Sequence, residues 1–140
     1  MNEPTILVCD DSDDDLVLLM RCMTEVPQPK RITLARSGQE AMDYLARATP
    51  DRRPALILLD INMPRVSGIH LLSWIRSRAE LKATPVVILT TSDHASDRRA
   101  AWQAGASSYL VKPTDFDGFL ELTRLVVRYW LGVNRPAVDA

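Results

Sequence analysis

Short apolar runs alternate with longer amphipathic segments along the chain. Each run has four or five residues, most of them aliphatic or β-branched. Runs of this length and composition, separated by turn-forming residues, predict strands, of which the first is expected to be buried. The five predicted strands cover residues 5–9, 31–35, 55–59, 85–89 and 108–111.

Apolar residues at helical spacing follow every predicted strand. The predicted helices cover residues 13–25, 38–47, 69–78, 94–104 and 114–131. Ser37 and Glu40 have the spacing of a capping box at the start of the second helix. Asp93 is the predicted cap of the fourth helix. Gly105 is predicted to end that helix, because glycine readily adopts the left-handed conformation found there.

The strand–helix alternation, repeated five times, predicts an α/β fold. Such an alternation implies a parallel sheet with helices on both faces and right-handed crossovers. We therefore predict a doubly wound five-stranded parallel sheet, of order 2-1-3-4-5, with five flanking helices. Residues 1–133 are predicted to form this single domain, and residues 134–140 a flexible C-terminal tail.

Aspartates follow two of the predicted strands directly. Asp10 and Asp11 come after the first strand, and Asp60 comes after the third. In the predicted order the winding of the sheet reverses between these strands, and ligands of such sheets bind beyond the carboxyl ends at that point. Neighbouring strands lie about 4.8 Å apart, so the three carboxylates repel one another unless a cation joins them. Oxygen ligands at a solvent-facing edge are suited to Mg²⁺, which we predict there.

Three further aspartates, Asp13, Asp14 and Asp15, fall in the first turn of the first predicted helix. Negative charge at this end of a helix interacts favourably with the helix dipole. We therefore interpret the three residues as helix-stabilising, with Asp13 alone a candidate for the outer shell of the metal.

Polar residues also lie at the carboxyl ends of the fourth and fifth predicted strands. Thr90 ends the fourth strand, and Lys112 ends the fifth. A metal ion, an ammonium and a hydroxyl around one carboxylate suit phosphoryl transfer, which depends on positioning and charge neutralisation. Asp60 would then be the nucleophile and would form an aspartyl phosphate.

Composition excludes several other classes of protein. The chain has 140 residues, 25% of them charged, with a net charge of −1, so neither disorder nor direct nucleic-acid binding is expected. Cys9 and Cys22 have no CxxC spacing and are predicted to be reduced core thiols. The N-terminus does not resemble a signal peptide, and no apolar stretch approaches a membrane span, so we expect a soluble cytoplasmic protein.

The chain resembles the receiver domains of two-component response regulators, which have the flavodoxin-like strand order predicted above. The matching segments occur in the same order and spacing as in that family and extend over nearly the whole chain. They are DD at 10–11, LLDINMPRVSG at 58–68, PVVILTTS at 85–92 and GASSYLVKP at 105–113. Each segment alone is weak, whereas their combination is highly specific.

The resemblance implies the chemistry of the site. Asp60 is the expected phospho-acceptor, and Lys112 is expected to pair with the phosphoryl oxygens. The bond between Lys112 and Pro113 is expected to be cis, as it often is in the family. The expected Mg²⁺ ligands are Asp11, Asp10 (largely through water), Asp60 and the backbone carbonyl of Asn62.

The resemblance also implies how phosphorylation would be read out. Thr90 and Tyr109 match the switch pair, in which the hydroxyl moves toward the phosphoryl group and the aromatic ring turns inward behind it. The change is expected to alter a surface formed by the fourth helix, fifth strand and fifth helix. The phosphoryl donor is expected to be a sensor histidine kinase or a phosphotransfer protein. The domain would catalyse only its own phosphorylation and dephosphorylation.

A narrower resemblance concerns the single-domain partners of bacterial phytochrome kinases. They share an extended segment before the third strand, here DYLARATPDRRPA, and a last helix that ends in an aromatic residue followed by Trp-Leu. Such proteins tend to be dimers, so a phytochrome-type kinase and a homodimer are expected, without direct nucleic-acid or membrane binding. The candidate interface residues are Trp102, Tyr129 and Trp130.

Two other functions remain open from the sequence. A Mg²⁺-dependent phosphatase with an aspartate nucleophile is the alternative, because Asp11 and Asp13 have the spacing of the nucleophile and acid/base pair of such enzymes. Against it, the chain has no cap domain, and the set of Thr90, Tyr109 and Lys112 would have no role. A scaffold that never carries phosphate would require a broken site, and this site looks intact.

Overall fold

The five predicted strands form one parallel sheet. A computed structural model describes residues 3–137. The strands are β1 (Thr5–Cys9), β2 (Arg31–Ala35), β3 (Leu56–Leu59), β4 (Val86–Thr90) and β5 (Ser108–Val111). Their order in the sheet is β2-β1-β3-β4-β5, which confirms the predicted topology. Cys9 pairs with Leu59 and Thr90 pairs with Val111, so the carboxyl ends of the strands lie at one edge.

A helix follows each strand, as predicted. The helices are α1 (Asp13–Thr24), α2 (Gly38–Arg47), α3 (Gly68–Ser77), α4 (Ala95–Ala104) and α5 (Phe116–Arg128). A 3₁₀ turn over Ala79–Leu81 follows α3, and a π-helical segment over Tyr129–Val133 continues α5. Among residues 3–137 no helix is long and apolar enough to cross a membrane.

Alternate side chains of the strands fill an apolar layer on each face of the sheet. Leu7 and Cys9 of β1 pack with residues of α2, α3 and α4. Ile6 and Val8 pack on the opposite face with residues of α1 and α5. The central strands are buried on both faces, which explains why their sequences are continuous apolar runs. Cys9 and Cys22 are buried free thiols, as predicted.

Local hydrogen bonds fix where the helices begin and end. The Ser37 hydroxyl accepts from the Glu40 amide at 3.1 Å, which confirms the predicted cap of α2. Gly105 ends α4 with φ 103°, as predicted. Asp93 does not cap α4, because its carboxylate pairs with Arg98 at 3.1 Å instead. The capping position of α4 is occupied by His94, whose side chain makes no capping hydrogen bond.

The last helix differs most from its predicted bounds. It begins at Phe116 rather than at 114, because the Asp115 carboxylate accepts from the Gly118 amide and caps the helix there. The tail predicted for 134–140 is described only as far as 137, and its last three residues lie outside the described residues. Residues 1 and 2 of the predicted domain also lie outside them. The Asn134 amide still donates to the Tyr129 carbonyl, at 2.6 Å.

Candidate functional site

Main-chain pairing fixes three charged residues at the carboxyl edge of the sheet. The Asp10 amide donates to the Ala35 carbonyl at 3.0 Å, and the Asp60 amide donates to the Cys9 carbonyl at 3.0 Å. The Lys112 amide donates to the Thr90 carbonyl at 2.7 Å. All three side chains are buried, although charged groups are rarely buried unless they are paired.

The Lys112 ammonium joins these side chains to a fourth. Its Nζ atom donates to Oδ2 of Asp10 at 2.7 Å, to Oδ2 of Asp60 at 2.9 Å and to Oδ2 of Asp15 at 2.7 Å. An ammonium has three donors, so every donor is used. We call Asp10, Asp15, Asp60 and Lys112 the acceptor cluster.

Asp15 is the member of this cluster that the sequence did not reveal. It was interpreted as a helix-stabilising residue because it lies in the first turn of α1. Side chains of a helix, however, lean toward its N-terminus. An acidic residue in the first turn, just beyond a strand end, is therefore directed back toward that strand end. This geometry is the signal that could have identified Asp15.

The acceptor cluster holds more negative than positive charge, since three carboxylates surround one ammonium. Burial lowers the pKa of Lys112, but the hydrogen bonds to the three carboxylates outweigh this and raise the pKa above its ordinary value. Burial raises the pKa of Asp10, and the hydrogen bonds from Lys112 and the Ser12 amide offset part of that rise. The ammonium therefore stays charged, and the excess negative charge favours a further cation.

Backbone amides orient the two carboxylates at the strand ends. The Ser12 amide donates to Oδ1 of Asp10 at 2.9 Å, and the Asn62 amide donates to Oδ1 of Asp60 at 3.0 Å. Each carboxylate thus has one oxygen on a backbone amide and the other on Lys112. Both side chains are held in a single orientation by groups that belong to the turns after β1 and β3.

Thr90 and Tyr109 contact the loops that follow β3 and β4. The buried Thr90 hydroxyl accepts from Nδ2 of Asn62 at 3.3 Å and from the Ser92 amide at 3.4 Å. The Tyr109 hydroxyl donates to the Ser92 carbonyl at 2.9 Å. The loop after β4 therefore connects the Thr90 hydroxyl with the Tyr109 ring.

The predicted Mg²⁺ ligands are only partly brought together. Asp10 and Asp60 share Lys112, whereas Asp11 is exposed and forms no hydrogen bond or ion pair with the residues described. Within residues 3–137 no three Asp, Glu, His or Cys side chains are arranged to hold a metal ion. The reason is that the ammonium lies between the carboxylates. The donors still fit Mg²⁺ in kind, because they are carboxylate oxygens with uncompensated charge at a solvent-facing edge.

The expectation of a cis peptide bond between Lys112 and Pro113 is wrong. Every peptide bond in the described part of the chain is trans. The trans isomer before proline is favoured by about 0.5–1 kcal/mol. Lys112 reaches all three carboxylates from this trans backbone, so no cis bond is required to direct its side chain.

The three aromatic interface candidates lie away from the acceptor cluster. Trp102 on α4 is 53% exposed, and Tyr129 after α5 is 48% exposed. Trp130 is partly buried against the apolar layer of α1 and α5, and its ring meets the Tyr129 ring edge-on at 4.8 Å. Exposed Leu125 and Val133 lie four residues either side of Tyr129 and extend an apolar stripe along the last helix.

The geometry does not favour the phosphatase alternative. The phosphatase hypothesis assigns Asp11 as the nucleophile and Asp13 as the acid/base residue. The Asp13 carboxylate instead pairs with Arg36 at 2.9 Å on the surface. Asp60, rather than Asp11, is the carboxylate that contacts the buried ammonium.

Comparison with known proteins agrees with the fold and identifies a family. The family model of the response regulator receiver domain matches residues 6–124. The probable methanogenesis regulatory protein FilR2 of Methanothrix harundinacea is 37% identical over 93% of this chain and 85% of its own. The response regulator Rcp1 of Synechocystis is 31% identical over 94% of this chain and 92% of its own.

Solved structures are similar over nearly the full length. The phosphorylated cyanobacterial phytochrome response regulator RcpA has a TM-score of 0.90 and 27% identity, over 98% of this chain and 100% of its own. The Mn²⁺-bound form of Rcp1 has a TM-score of 0.86 and 28% identity, over 96% of this chain and 99% of its own. The chain therefore belongs to the family of response regulator receiver domains, the signalling modules of two-component systems.

Proposed function

We propose that Asp60 accepts a phosphoryl group from a phosphohistidine of a sensor histidine kinase or of a phosphotransfer protein. The observation that supports this most directly is the buried Asp60 carboxylate at the end of β3, 2.9 Å from the Lys112 ammonium. A carboxylate oxygen attacks phosphorus, the P–N bond of the donor breaks, and the donor imidazole leaves with its proton. The product is an aspartyl phosphate, which water later hydrolyses.

The neighbouring residues would stabilise the charge that moves. Lys112 would pair with a phosphoryl oxygen, because an ammonium is a strong donor to such oxygens. Mg²⁺ would be held by Asp10, Asp11, Asp60 and the Asn62 carbonyl, and it would neutralise phosphoryl charge. The similar protein Rcp1 has a Mn²⁺-bound structure, which supports a divalent-cation site in this family.

Thr90 and Tyr109 would report the phosphorylation to the surface of α4, β5 and α5. The Tyr109 hydroxyl bonds the same loop whose Ser92 amide donates to the Thr90 hydroxyl. A shift of Thr90 toward a phosphoryl group would therefore disturb the loop that holds Tyr109. The added charge shifts the equilibrium between two conformations of this loop. The domain therefore works as a switch and does not turn over external substrates.

A phytochrome-type kinase is the proposed donor, and a homodimer is the proposed assembly. Several similar structures are described as phytochrome or bacteriophytochrome response regulators, among them RcpA, AtBRR and RtBRR. They match 98–100% of this chain. The exposed Trp102 and Tyr129 supply apolar surface for a second copy.

Intact-mass analysis after incubation with acetyl phosphate tests the acceptor. We expect one phosphoryl group on the wild type with Mg²⁺, none when EDTA replaces Mg²⁺, and none on Asp60→Asn. Asp93→Asn is the control, because Asp93 pairs with Arg98 at the surface and should leave the adduct unchanged. A folded wild type without an adduct, or an adduct that persists on Asp60→Asn, would contradict the proposal. Steady release of phosphate from p-nitrophenyl phosphate would support the phosphatase instead.

A further inference from the structure

One partner of the Lys112 ammonium has no part in the function proposed above. Asp10 and Asp60 lie at strand ends and belong to the proposed metal and acceptor groups. Asp15 belongs to α1, where its amide donates to the Ser12 hydroxyl at 3.3 Å. Its carboxylate nevertheless contacts Lys112 at 2.7 Å, which is as short as the contact from Asp10.

All three ammonium donors are already used in this arrangement. A phosphoryl group on Asp60 requires a donor from Lys112, so one existing contact has to be released. The Asp15 carboxylate is not consumed by phosphorylation, and it keeps its negative charge throughout. It is also only one-third exposed, so solvent does not fully screen it from the ammonium.

We propose that Asp15 limits phosphorylation of Asp60 by competing with the phosphoryl group for the Lys112 ammonium. Asp15 acts through Lys112 and not on the reacting atoms, so it is a positioning residue. The inference rests on the proposed function and adds to it a residue of α1 that sets how readily the acceptor site takes an anion. The excess of carboxylates over ammonium groups in the acceptor cluster has the same effect, because it repels an incoming anion.

Equilibrium binding of beryllofluoride, a non-hydrolysable mimic of a phosphoryl group, measures this competition. Titrations by calorimetry at saturating Mg²⁺ compare the wild type with Asp15→Asn. We expect Asp15→Asn to lower the half-saturating concentration about tenfold, the scale of one charge-assisted hydrogen bond. The aspartyl phosphate formed from acetyl phosphate should reach a higher occupancy in the same variant. A merely structural role of Asp15 would weaken anion binding, not strengthen it.

The first turn of α1 supplies a matched control. Asp14→Asn removes the same charge from the same turn, but Asp14 is exposed and is not a partner of Lys112. Its half-saturating concentration should stay within about twofold of the wild type, because exposed charges interact weakly. Asp15→Glu keeps the charge and should remain closer to the wild type than Asp15→Asn.

The outcomes separate this inference from the proposed function. Equal or weaker anion binding by Asp15→Asn, or an equal gain in Asp14→Asn, would overturn the role of Asp15 alone if the wild type still forms its adduct. Absence of both the adduct and beryllofluoride binding in the wild type and in Asp15→Asn would overturn the proposed function together with the inference.

Discussion

Gly68 allows the loop after β3 to pack closely against the backbone of Asp60 and Ile61. A Cβ atom at this position would meet the Asp60 carbonyl oxygen and would lie 2.5 Å from Cα of Ile61. Both are backbone atoms, so no side chain can move aside. The Gly68 amide also donates to the Ile61 carbonyl at 3.1 Å, which closes the loop. The close approach of this loop to the backbone of Asp60 and Ile61 therefore requires glycine at position 68.

Gly68→Ala should lower the free energy of unfolding by about 2–4 kcal/mol, because the backbone has to shift to admit the methyl group. It should also slow phosphorylation by acetyl phosphate, since the backbone that shifts belongs to Asp60. Gly132→Ala is the control, because nothing lies within 4 Å of its added Cβ, and it should be nearly neutral. Urea unfolding measures both variants. Equal stabilities would show that the loop relaxes without strain.

The charged residues of the site differ in how far the sequence could predict them. Asp10, Asp60 and Lys112 follow predicted strands, so the order of the strands was enough to bring them together. Asp15 could be proposed from its place in the first turn of α1, but choosing it over Asp13 and Asp14 required knowledge of how α1 lies over the strand ends. Asp11 contacts no side chain among the described residues, so its proposed place in the Mg²⁺ site stays a prediction.

One arginine links α3 to the segments that precede β4 and β5, at the edge of the sheet opposite the acceptor cluster. Arg76 of α3 donates from Nε to the Gly105 carbonyl at 2.9 Å and from Nη1 to the Thr84 carbonyl at 2.7 Å. It also contacts the carbonyls of Leu81 and Lys82 and the Ser107 hydroxyl at 3.3 Å each. Burial lowers its pKa, but a guanidinium remains charged. Arg76 thus connects the segments before β4 and β5.

Arg76→Lys should lower the free energy of unfolding by about 2 kcal/mol. The planar guanidinium donates in several directions to the surrounding carbonyls, and the ammonium of lysine cannot reproduce that arrangement. Arg78→Lys is the matched control two residues later. Arg78 pairs with Glu80 at 2.7 Å near the surface, and a lysine can keep that ion pair, so its effect should stay below about 0.5 kcal/mol. Thermal and urea unfolding of the two variants provide the comparison. A loss of the same size in both would contradict the role of Arg76.

The presence of every strand and α-helix in the described residues could be predicted, whereas the 3₁₀ turn, the π-helical segment and some boundaries could not. The three central strands are continuous apolar runs buried on both faces, while most residues of the edge strands β2 and β5 are only partly buried. The predicted cap of α4 was wrong because the Asp93 carboxylate pairs with Arg98, and spacing along the chain does not decide between a cap and an ion pair. The contacts of Arg76 were not foreseen because its acceptors are loop carbonyls, and any residue type supplies a carbonyl.

Most of the exposed large apolar side chains in the described residues lie on α4, α5 and the segment after it. They are Trp102, Leu125, Tyr129 and Val133, whereas the exposed Val17 and Val111 are close in sequence to Asp15 and Lys112 of the acceptor cluster. The topology could be predicted because five strand–helix units allow few arrangements. The sequence could not show whether copies associate, because scattered surface apolar residues also occur in monomers.

Trp102→Ala should weaken self-association at least tenfold if the proposed homodimer uses this surface, because a central tryptophan often contributes about 2 kcal/mol or more. Sedimentation velocity over a range of concentrations, with and without Mg²⁺ and acetyl phosphate, measures the change. Val17→Ala is the control, because Val17 is 70% exposed but belongs to α1, which is not one of the elements of this surface. A wild type that stays monomeric at every concentration, or an unchanged association of Trp102→Ala, would contradict the dimer.

The position of Lys112 in the chain has a consequence for protein synthesis. Its ammonium contacts Asp60, Asp15 and Asp10, which precede Lys112 by 52, 97 and 102 positions in the sequence. The aspartates therefore leave the ribosome well before their cation does, and a domain generally folds as a unit. A nascent chain that ends before β5 has the three carboxylates but neither the ammonium nor a complete sheet. We therefore expect that an unfinished chain cannot be phosphorylated, and that the acceptor becomes competent only when β5 is in place.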